Sequence, residues 1–490
     1  MAWACDYAAM NTDYRLDALA TILGPKGLIV DAATMLPYLS EQRGLYADRR
    51  ALAVAIPADV EAVAAVVAHC NASQLAVIPR GGNTGLVGGS APEAPADAGK
   101  ANAIIVSLER LNQIRAVDSD NYSLTAEAGC RLSAVQTAAA EHRRLFPLSY
   151  AAEDDCQIGG NLATNAGGMN VVRYGNTRDL TLGLEVVLPD GQIWHGLRGL
   201  RKDNSGYALK DLFIGAEGTL GIITAATFKL FPAIRDRATA IAGLSSVEAA
   251  VALFSQLRQA SGDTISSCEL MGRQPLEYAL RYGSDCTDPL PREHAWYVLV
   301  DLSTSADDAN LADPLARALD HPDACVDGYR IAANAEQAAD FWRLRNTIPS
   351  AQKGAGASIK NDISVPIDAM PAFLERAQRE VEAACPGVIL CAFGHIGDGN
   401  LHVNLTQPEH LDATAFLDQW QPLTRVVHDV AMAYQGSFAA EHGVGQLKPD
   451  EVARLKDPVE LGLMRQLNAA FDPNNRMNPG KVVPVNGPTR

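Results

Sequence analysis

Two histidines lie seven positions apart in GHIGDGNLHVN, residues 394 to 404, on either side of a Gly-Asp-Gly sequence. Gly-Asp-Gly favours a tight turn and the flanking residues are strand-like, so the segment predicts a β-hairpin. The hairpin would bring His395 and His402 together, and Asn404 would face the same side as His402 because it is two residues away. Imidazole nitrogens suit zinc. The alternative is a turn with two ordinary solvated or hydrogen-bonded histidines.

A further metal ligand would have to come from another part of the chain. The segment AEHGVG, residues 440 to 445, offers the carboxylate of Glu441 and the imidazole of His442 side by side. A catalytic zinc site uses three protein ligands and keeps one position open. A set of two histidines and one carboxylate also accepts manganese, cobalt or iron. A histidine titrates near neutral pH and can therefore act as a general base.

Two glycine clusters indicate a second kind of site. They are RGGNTGLVGG, residues 80 to 89, and GGNLATNAGG, residues 159 to 168. Dense glycines let the main chain approach a ligand closely and let successive amide groups point at a phosphate. Neither the GxGxxG dinucleotide spacing nor a GxxxxGK[ST] loop is present. Plain turns and bulges would explain either cluster alone, but two clusters favour a bound ligand.

The elements that must position these residues alternate between short strands and helices. Residues 51 to 70 predict a strand, a helix start at Pro-Ala-Asp and an amphipathic helix. The Pro-Asp-Gly of LTLGLEVVLPDGQIW marks a second hairpin turn. From about residue 236, the order strand, helix, strand, strand, helix, strand suggests a ferredoxin-like unit. The pattern as a whole predicts an α+β or α/β architecture.

Composition narrows the classes of function. A chain of 490 residues is too long for one ordinary core, and its net charge of −16 disfavours nucleic-acid binding. No apolar run approaches the roughly 18 residues of a membrane span. The N-terminus has Asp6 before any Lys or Arg and does not follow a signal-peptide pattern. The nine cysteines form no CxxC pair, so we expect reduced thiols and a cytoplasmic protein.

Six segments carry a resemblance to a known family. In chain order they are IPRGGNTGLVGGS, IGGNLATNAGGMNVVRYGNTRD, IGAEGTLGIIT, GHIGDGNLHVN, AAEHGVGQLK and NPGK. Together they resemble the FAD-dependent D-2-hydroxyacid dehydrogenases of the vanillyl-alcohol oxidase or PCMH-type flavoprotein family, from about residue 45 onwards. The resemblance implies a PCMH-type FAD-binding domain over residues 1–235 and a ferredoxin-like α/β cap domain for substrate over 236–425. A C-terminal segment, 426–490, would return to the flavin and complete the active site.

The resemblance also implies which residues contact FAD. The first loop has Asn83 and no His or Cys of the kind that attaches flavin covalently in some relatives, so we expect non-covalent FAD. The matching positions are Arg80, Gly81, Gly82, Asn83, Thr84, Gly85, Gly88, Pro147, Gly159, Gly160, Asn161, Thr164, Ala166, Gly168, Glu217, Gly218, Ile222 and Asn478.

For the chemistry, the resemblance implies a metal held by His395, His402 and Glu441, with His442 as the general base. Zinc is the first choice of metal. A bound metal would lower the pKa of the substrate hydroxyl, and the C2 hydride would pass to flavin N5 to give a 2-oxoacid.

The substrate implied by the resemblance is D-2-hydroxyglutarate, with 2-oxoglutarate as product. Arg345, Lys360, Asn404 and His442 match its substrate contacts, and two cations suit a dicarboxylate. Pro349 replaces a threonine contact of the family and cannot donate a hydrogen bond, which puts the identity of the hydroxyacid in question. The plainer interpretation places Arg345 on a solvated helix face and makes Lys360 the cap of a strand.

Other functions stay open at this point. They are a D-lactate, glycolate or D-malate dehydrogenase of the same family, a metal-free flavin oxidase, and a non-catalytic flavin-binding electron-transfer subunit. The family further implies a protein electron acceptor, such as electron-transfer flavoprotein, and a homodimer. No nucleic-acid partner and no membrane span are expected.

Overall fold

The computed structural model describes residues 14–94, 101–307 and 309–484. Asp6 and the N-terminal segment used in the targeting prediction lie outside the described residues. Within the described ranges, no helix combines the length and the apolar character needed to cross a bilayer. The predicted α+β fold class is confirmed.

The first sheet contains the strand that leads into the first glycine loop. Its order is β1-β2-β4-β3, with β3 and β2 parallel to β4 and with β1 antiparallel to β2. Its elements are α1 (Tyr14–Leu23), β1 (Leu28–Ile29), α2 (Ala32–Leu39), β2 (Ala53–Ala55), α3 (Val60–Ala72), β3 (Ala76–Arg80) and β4 (Ala103–Ser107). The predicted helix start is confirmed, because the Asp59 side chain accepts a hydrogen bond from the Ala62 N–H at 2.8 Å.

A second, antiparallel sheet follows in the order β5-β6-β10-β8-β9. Its region contains β5 (Ile114–Asp118), β6 (Ser123–Glu127), α4 (Leu132–Glu141), β7 (Arg144–Leu145), α5 (Ile158–Thr164), α6 (Val171–Tyr174), α7 (Thr177–Leu180), β8 (Thr181–Val187), β9 (Ile193–Gly196), α8 (Lys210–Phe213), β10 (Ile222–Lys229) and β11 (Phe231–Pro232), which pairs with β7. The Pro-Asp-Gly hairpin is confirmed by the antiparallel pairing of β8 with β9.

The remaining strands form a large antiparallel sheet in the order β15-β12-β14-β13-β18-β19-β16, with β17 also paired to β19. The elements are β12 (Asp236–Leu244), α9 (Val247–Ser261), β13 (Ile265–Gly272), α10 (Arg273–Tyr282), β14 (Trp296–Thr304), α11 (Ala312–Leu319), β15 (Val326–Ile331), α12 (Ala335–Ala351), β16 (Ser358–Ile359), β17 (Asp362–Ser364), α13 (Met370–Ala384), β18 (Ile389–His395), β19 (Asn400–Thr406), α14 (Ala413–Leu417), α15 (Trp420–Ala433), α16 (Pro449–Leu455) and α17 (Pro458–Phe471). The order β15-β12-β14-β13 is the predicted ferredoxin-like one, and α10 is an addition to it.

The two faces of the large sheet bury different layers. One face packs against α9, α11, α13 and α15 through a continuous apolar core. On the other face, α10 and α12 pack against residues such as Met271 and Phe393. Because side chains alternate along a strand, His402 and Asn404 of β19 and His395 of β18 lie on this second face, with Glu269 of β13.

The C-terminal segment returns to the first sheet. Met477 forms a parallel bridge with Val77 of β3, and the Asn478 N–H donates to the Val77 carbonyl at 2.8 Å. The Asn478 side-chain amide donates to the carbonyls of Gly89 at 2.9 Å and Glu217 at 2.6 Å. This residue therefore ties the chain end to two glycine-containing segments, as expected for a segment that returns to the flavin region.

Candidate active site

One cavity of about 820 Å³ contains both kinds of predicted site. The predicted cofactor residues in its wall are Arg80, Gly81, Gly82, Asn83, Thr84, Gly85, Gly159, Gly160, Asn161, Thr164, Ala166, Gly168, Glu217, Gly218, Ile222 and Asn478. The predicted metal and substrate residues in the same wall are His395, His402, Glu441, His442, Arg345, Lys360 and Asn404. The fold thus joins segments that are more than 300 residues apart in the chain.

Two predicted cofactor residues are not among those that line the cavity. A Cβ at Gly88 would lie 2.3 Å from the Tyr46 ring, so Gly88 packs against that ring. The Pro147 carbonyl accepts a hydrogen bond from the Asn170 side chain at 2.8 Å. Both residues support the loops next to the cavity.

The two glycine loops approach each other at the cavity wall. A Cβ at Gly81 would lie 3.4 Å from the Gly160 nitrogen. A Cβ at Gly82 would lie only 2.0 Å from the Asp155 carbonyl oxygen, so a larger residue would push the loops apart. Around Gly160, by contrast, nothing lies within 4 Å of an added Cβ. The loops therefore expose main chain to the cavity, which is the property expected of a phosphate-binding cradle.

Side chains of the first loop mainly anchor the loop itself. The Arg80 guanidinium donates to the carbonyls of Tyr38 at 2.9 Å and Pro37 at 2.8 Å. The Asn83 amide donates to the Ser40 carbonyl at 2.7 Å. Arg80 was expected to contact the cofactor, yet its side chain binds the C-terminal end of α2. The main chain is then the part of this loop that is free to meet a ligand.

Three buried side-chain amide oxygens in the cavity wall lack a hydrogen-bond donor, and FAD could supply one. Gln157 Oε1, Asn161 Oδ1 and Asn478 Oδ1 are buried and accept no hydrogen bond from the described protein. Such atoms are rare in folded proteins because an unpaired acceptor costs about 1–3 kcal/mol. A flavin ring carries an N–H donor and its ribityl chain carries hydroxyl donors, so the residues present fit FAD.

Cys156 also lies in the cavity wall, and sequence reasoning did not consider it. Burial raises the pKa of its thiol, an effect that hydrogen bonds from Tyr150 and Asn161 oppose. A thiol with a raised pKa stays protonated at neutral pH and is a poor nucleophile. This environment agrees with the expectation of non-covalent flavin.

Glu217 serves a purpose that the sequence did not indicate. Its carboxylate accepts hydrogen bonds from the backbone N–H groups of Val444 at 2.7 Å and Gly445 at 2.8 Å. These residues belong to the loop that carries Glu441 and His442. Burial raises the pKa of Glu217, and the two backbone hydrogen bonds oppose that shift. Glu217 therefore holds the loop that carries Glu441 and His442 in place beside the glycine loops.

Two of the three predicted metal residues, His402 and Glu441, meet in a compact group of nitrogen and oxygen donors with Asp362 and His442. One ligand atom each from Asp362, His402, Glu441 and His442 lie within 4.8 Å of one another. Glu441 Oε1 lies 3.5 Å from His402 Nε2 and 3.7 Å from His442 Nε2. His395 lies outside this group but beside it, with its ring centroid 5.9 Å from that of His402. Nitrogen and carboxylate donors at this spacing suit a divalent transition metal.

Asp362 organises the group from behind, and sequence reasoning missed it. Its Oδ2 accepts hydrogen bonds from the backbone N–H groups of Glu441 and His442, each at 2.9 Å. Its Oδ1 accepts from the Asn400 amide at 2.9 Å. Burial alone would raise the pKa of Asp362, but His442 and other nearby positive charges outweigh burial and lower it. A charged residue inside the apolar strand DISV was the available signal, because a buried carboxylate requires partners.

Glu269 is the second missed residue. Its oxygens lie 2.7 Å from His395 Nδ1 and 2.8 Å from the Arg345 Nε that donates to it. Burial lowers the pKa of His395, but the Glu269 carboxylate outweighs burial and raises it to about 9. With Nδ1 engaged, the Nε2 of His395 is the nitrogen left for a ligand. A carboxylate behind a metal-type histidine commonly fixes its orientation in this way.

His402 differs from His395 in its charge state. Burial lowers the pKa of His402 well below its usual value, although Asp362 opposes the effect. The ring of His402 stacks on that of His442 at 5.6 Å with an interplanar angle of 15°. His402 is therefore neutral at physiological pH, which is the form that binds a metal.

The predicted substrate residues other than His442 lie on α12, between β16 and β17, and on β19. Arg345 is buried on α12, and its guanidinium lies 5.4 Å from the centre of the Phe393 ring. Arg345 is thus not on a solvated helix face. The Asn404 amide donates to Gln352 at 2.9 Å and accepts from the Asn361 N–H at 3.3 Å, which fixes its orientation. Lys360 immediately follows β16, and Pro349 also lines the cavity.

Comparison with known proteins identifies the family. Residues 51–196 match the model of an FAD binding domain, and residues 234–482 match the C-terminal domain of FAD linked oxidases. The chain is 36% identical to D-2-hydroxyglutarate dehydrogenase of Xanthomonas citri pv. viticola over 432 residues, covering 88% of this chain and 89% of that protein. It is also 36% identical to the mitochondrial D-2-hydroxyglutarate dehydrogenase of Bos taurus over 433 residues, covering 88% and 76%.

A solved structure agrees on the fold. p-Cresol methylhydroxylase with bound substrate superposes with a TM-score of 0.73 at 18% identity, covering 96% of each chain. At that identity the likeness extends to the fold alone. Together with the sequence matches, it shows that this chain belongs to the PCMH/VAO-type FAD-linked oxidases, as an FAD-dependent oxidoreductase similar to D-2-hydroxyglutarate dehydrogenases.

Proposed function

We propose that this protein oxidises D-2-hydroxyglutarate to 2-oxoglutarate with non-covalent FAD and a divalent metal, zinc being the first choice. The observation that carries the proposal is the shared cavity, which places a nitrogen and oxygen donor group beside the flavin-type loops and beside Arg345 and Lys360. A hydride acceptor, a metal that polarises the hydroxyl and two cations for carboxylates together suit a 2-hydroxy dicarboxylate. Relatives of this chain named D-2-hydroxyglutarate dehydrogenase support the choice of substrate.

Each absent group would supply one part of the chemistry. When bound, FAD accepts the C2 hydride and the metal polarises the 2-hydroxyl and 1-carboxylate. His395, His402 and Glu441 would hold the metal, and the glycine loops with Asn478 would hold FAD.

His442 is the proposed general base. Its Nε2 lies on the side of Glu441, at 3.7 Å from Oε1, and its Nδ1 lies 3.7 Å from Asp362 Oδ2. The proton of the 2-hydroxyl would move to Nε2, and the Asp362 carboxylate would stabilise the imidazolium that forms. The backbone N–H of His442 is already hydrogen-bonded to Asp362, so the ring needs little reorganisation.

The positive side chains of the wall would hold the substrate carboxylates. Arg345 presents a planar guanidinium whose Nε is fixed by Glu269, and Lys360 adds a second cation. Asn404 would add a neutral donor next to them. A second candidate is D-malate or D-lactate oxidation, which the family supports and which Pro349, a residue without a donor, keeps in consideration.

The remaining expectations stand as parts of this proposal. Reduced flavin would pass its electrons to a protein acceptor such as electron-transfer flavoprotein, and the enzyme would act as a cytoplasmic homodimer.

Metal depletion and stereochemistry test the proposal together. The purified holoenzyme should form 2-oxoglutarate from D-2-hydroxyglutarate, and not from the L enantiomer, with an artificial electron acceptor. Chelation should abolish this activity without releasing FAD, and zinc, manganese or cobalt should restore it. Full activity of a metal-free preparation would contradict the metal part, and equal rates with both enantiomers would contradict the assigned site.

A further inference from the structure

Besides Arg80, whose guanidinium is bound to two carbonyls of α2, three cations of the cavity wall form no ion pair with a carboxylate of the described protein. Arg43, Lys353 and Lys360 all line the cavity, and none forms an ion pair with the described part of the protein. The acidic residues in the same wall are Glu217 and Glu441, which are engaged by the backbone N–H groups of the catalytic loop and by the histidine cluster. Three unpaired positive charges in one cavity favour an anionic ligand.

Arg43 is held in place without losing its capacity to bind an anion. Its guanidinium carbon lies 4.5 Å from the centre of the Trp420 ring, and one nitrogen donates to the Leu86 carbonyl at 3.2 Å. The nearby Glu41 carboxylate accepts hydrogen bonds from the backbone N–H groups of Arg43 and Leu45. A guanidinium has five N–H donors, so the remaining ones can bind a carboxylate.

Lys353 lies on the same side of α12 and its 3₁₀ extension as two other residues of the cavity wall. Arg345, Pro349 and Lys353 are spaced by four residues along α12 and the 3₁₀ turn Gln352–Ala355 that continues it. All three line the cavity. Pro349 cannot donate a hydrogen bond, and Lys353 provides a flexible cation one turn further on.

The charge environment of Lys360 agrees with an anion site. Burial lowers the pKa of Lys360, and the positive charges of Arg43 and Lys353 lower it further. All three side chains line the same cavity, so their positive charges repel one another there. A bound carboxylate would relieve that repulsion and stabilise all three cations.

We propose that Arg43 and Lys353, together with Lys360, form the subsite for the second carboxylate of the substrate and make the enzyme select dicarboxylates. The proposal rests on the proposed function and adds two residues to it. Arg43 comes from the segment before β2 and Lys353 follows α12, so the subsite joins the flavin-type part of the chain to the large sheet.

Two substrates of equal chain length test the proposal. D-2-hydroxyglutarate and D-2-hydroxypentanoate differ only at the end that carries the second carboxylate. Arg43→Met and Lys353→Met should each raise the KM for D-2-hydroxyglutarate by about 10-fold or more, as expected for losing a charged hydrogen bond. The KM for D-2-hydroxypentanoate should change little. Arg343→Met is the matched control, because Arg343 lies on α12, pairs with Asp340 and does not line the cavity.

Equal losses with both substrates would overturn the proposal and assign the two residues a structural role. If Arg43→Met loses FAD, Arg43→Lys keeps a charge at the position and should retain the preference for the dicarboxylate. A loss of that preference in Arg43→Lys with full FAD content would contradict the assignment of Arg43 to the subsite, because the positive charge would still be present.

Equilibrium binding separates this proposal from the proposed function. Glutarate and pentanoate lack the reacting hydroxyl, and their binding to the oxidised enzyme can be followed through the flavin absorbance. If wild-type enzyme does not oxidise D-2-hydroxyglutarate, the proposed function fails. Tighter binding of glutarate that is lost in both Met variants would still support the subsite, whereas equal affinity for glutarate and pentanoate in the wild type would overturn it.

Discussion

Three histidines of the site have three different environments, and the roles proposed for them rest on these environments. His395 has its Nδ1 fixed by Glu269, His402 is neutral because it is buried, and His442 faces Asp362. His402 and His442 both face the carboxylates of Asp362 and Glu441, and His442 is the more exposed of the two, with 25% of its side chain accessible against 12% for His402. In the proposed function, His395 and His402 would therefore be metal ligands and the more accessible His442 would be the base.

His442→Ala should leave FAD and metal bound but slow flavin reduction by D-2-hydroxyglutarate by about 10²- to 10⁴-fold, the range for loss of a general base. Stopped-flow absorbance of the flavin measures the rate, and metal content is measured on the same sample. His410→Ala removes an exposed histidine outside the cavity wall and should have no effect. Loss of the metal from His442→Ala would instead make His442 a ligand.

At the residue scale, sequence patterns predicted the candidate metal ligands and base but not the buried carboxylates that hold them in place. The histidines of GHIGDGNLHVN and the Glu-His pair were identified because their residue types are informative on their own. Asp362 and Glu269 were missed because their function depends on partners 79 and 126 residues away. The direction of the Arg80 side chain likewise depends on carbonyls of α2, which no local pattern predicts.

At the element scale, the loop that carries Glu441 and His442 depends on its contacts with the rest of the molecule. Gly445 has φ of +51°, and an added Cβ would lie 2.2 Å from the Val87 carbonyl. The Glu217 carboxylate accepts the N–H groups of Val444 and Gly445 in the same loop. The loop position, and with it the base, is therefore set by these packed contacts.

Glu217→Gln should slow flavin reduction by about 10-fold or more, since a neutral amide can accept only one of the two backbone hydrogen bonds well. The FAD content should be largely retained, and the pH profile of the reduction rate should shift because His442 is displaced. Glu248→Gln, an exposed carboxylate on α9, is the control. An unchanged rate and pH profile would show that Glu217 does not position the loop.

A second element contact predicts how stability depends on pH. Glu451 of α16 pairs with His428 of α15 at 2.9 Å and with Arg454. Burial would raise the pKa of Glu451, but His428 and Arg454 outweigh it and lower the pKa to about 2. A carboxylate with a lowered pKa stabilises the fold above its unfolded pKa near 4.5, and this contribution is lost as the pH falls towards 2.

Glu451→Gln should therefore lower the free energy of unfolding by on the order of 2 kcal/mol at pH 7. The difference from wild type should shrink between pH 5 and 3, as measured by urea unfolding at each pH. A difference that stays constant over this range would mean that packing, and not the charge of Glu451, is responsible.

The elements themselves were predictable where their signals are local. Gly-Asp-Gly and Pro-Asp-Gly predicted two hairpins, and Asp59 predicted a helix start, because each depends on neighbouring residues. The sequence did not predict which distant strands of the large sheet pair with each other. Pairing of β13 with β18 places Glu269 opposite His395, and such pairing between distant strands leaves no local mark on the sequence.

At the scale of the whole molecule, the C-terminal segment closes the cavity against the first sheet and two glycine-containing segments. Asn478 is almost completely buried and binds the carbonyls of Gly89 and Glu217, while Met477 pairs with β3. The cavity is therefore complete only when the C-terminal segment has folded back.

Asn478→Ala should reduce FAD retention after gel filtration and lower the thermal midpoint, because two buried carbonyls lose their donor. The absorbance ratio of flavin to protein measures retention. Asn474→Ala removes an exposed asparagine a few residues earlier and should retain FAD. Full FAD retention by Asn478→Ala would show that the C-terminal segment is not needed to hold the cofactor.

In the proposed function, one cavity would hold flavin, metal and a dicarboxylate substrate. The most direct test of this claim is the visible flavin spectrum of the anaerobic holoenzyme during addition of D-2-hydroxyglutarate, with D-lactate added to a parallel sample. We predict that D-2-hydroxyglutarate bleaches the flavin at far lower concentration than D-lactate, and that prior chelation prevents the bleaching. A flavin that stays oxidised under saturating D-2-hydroxyglutarate in the metal-loaded enzyme would contradict the account.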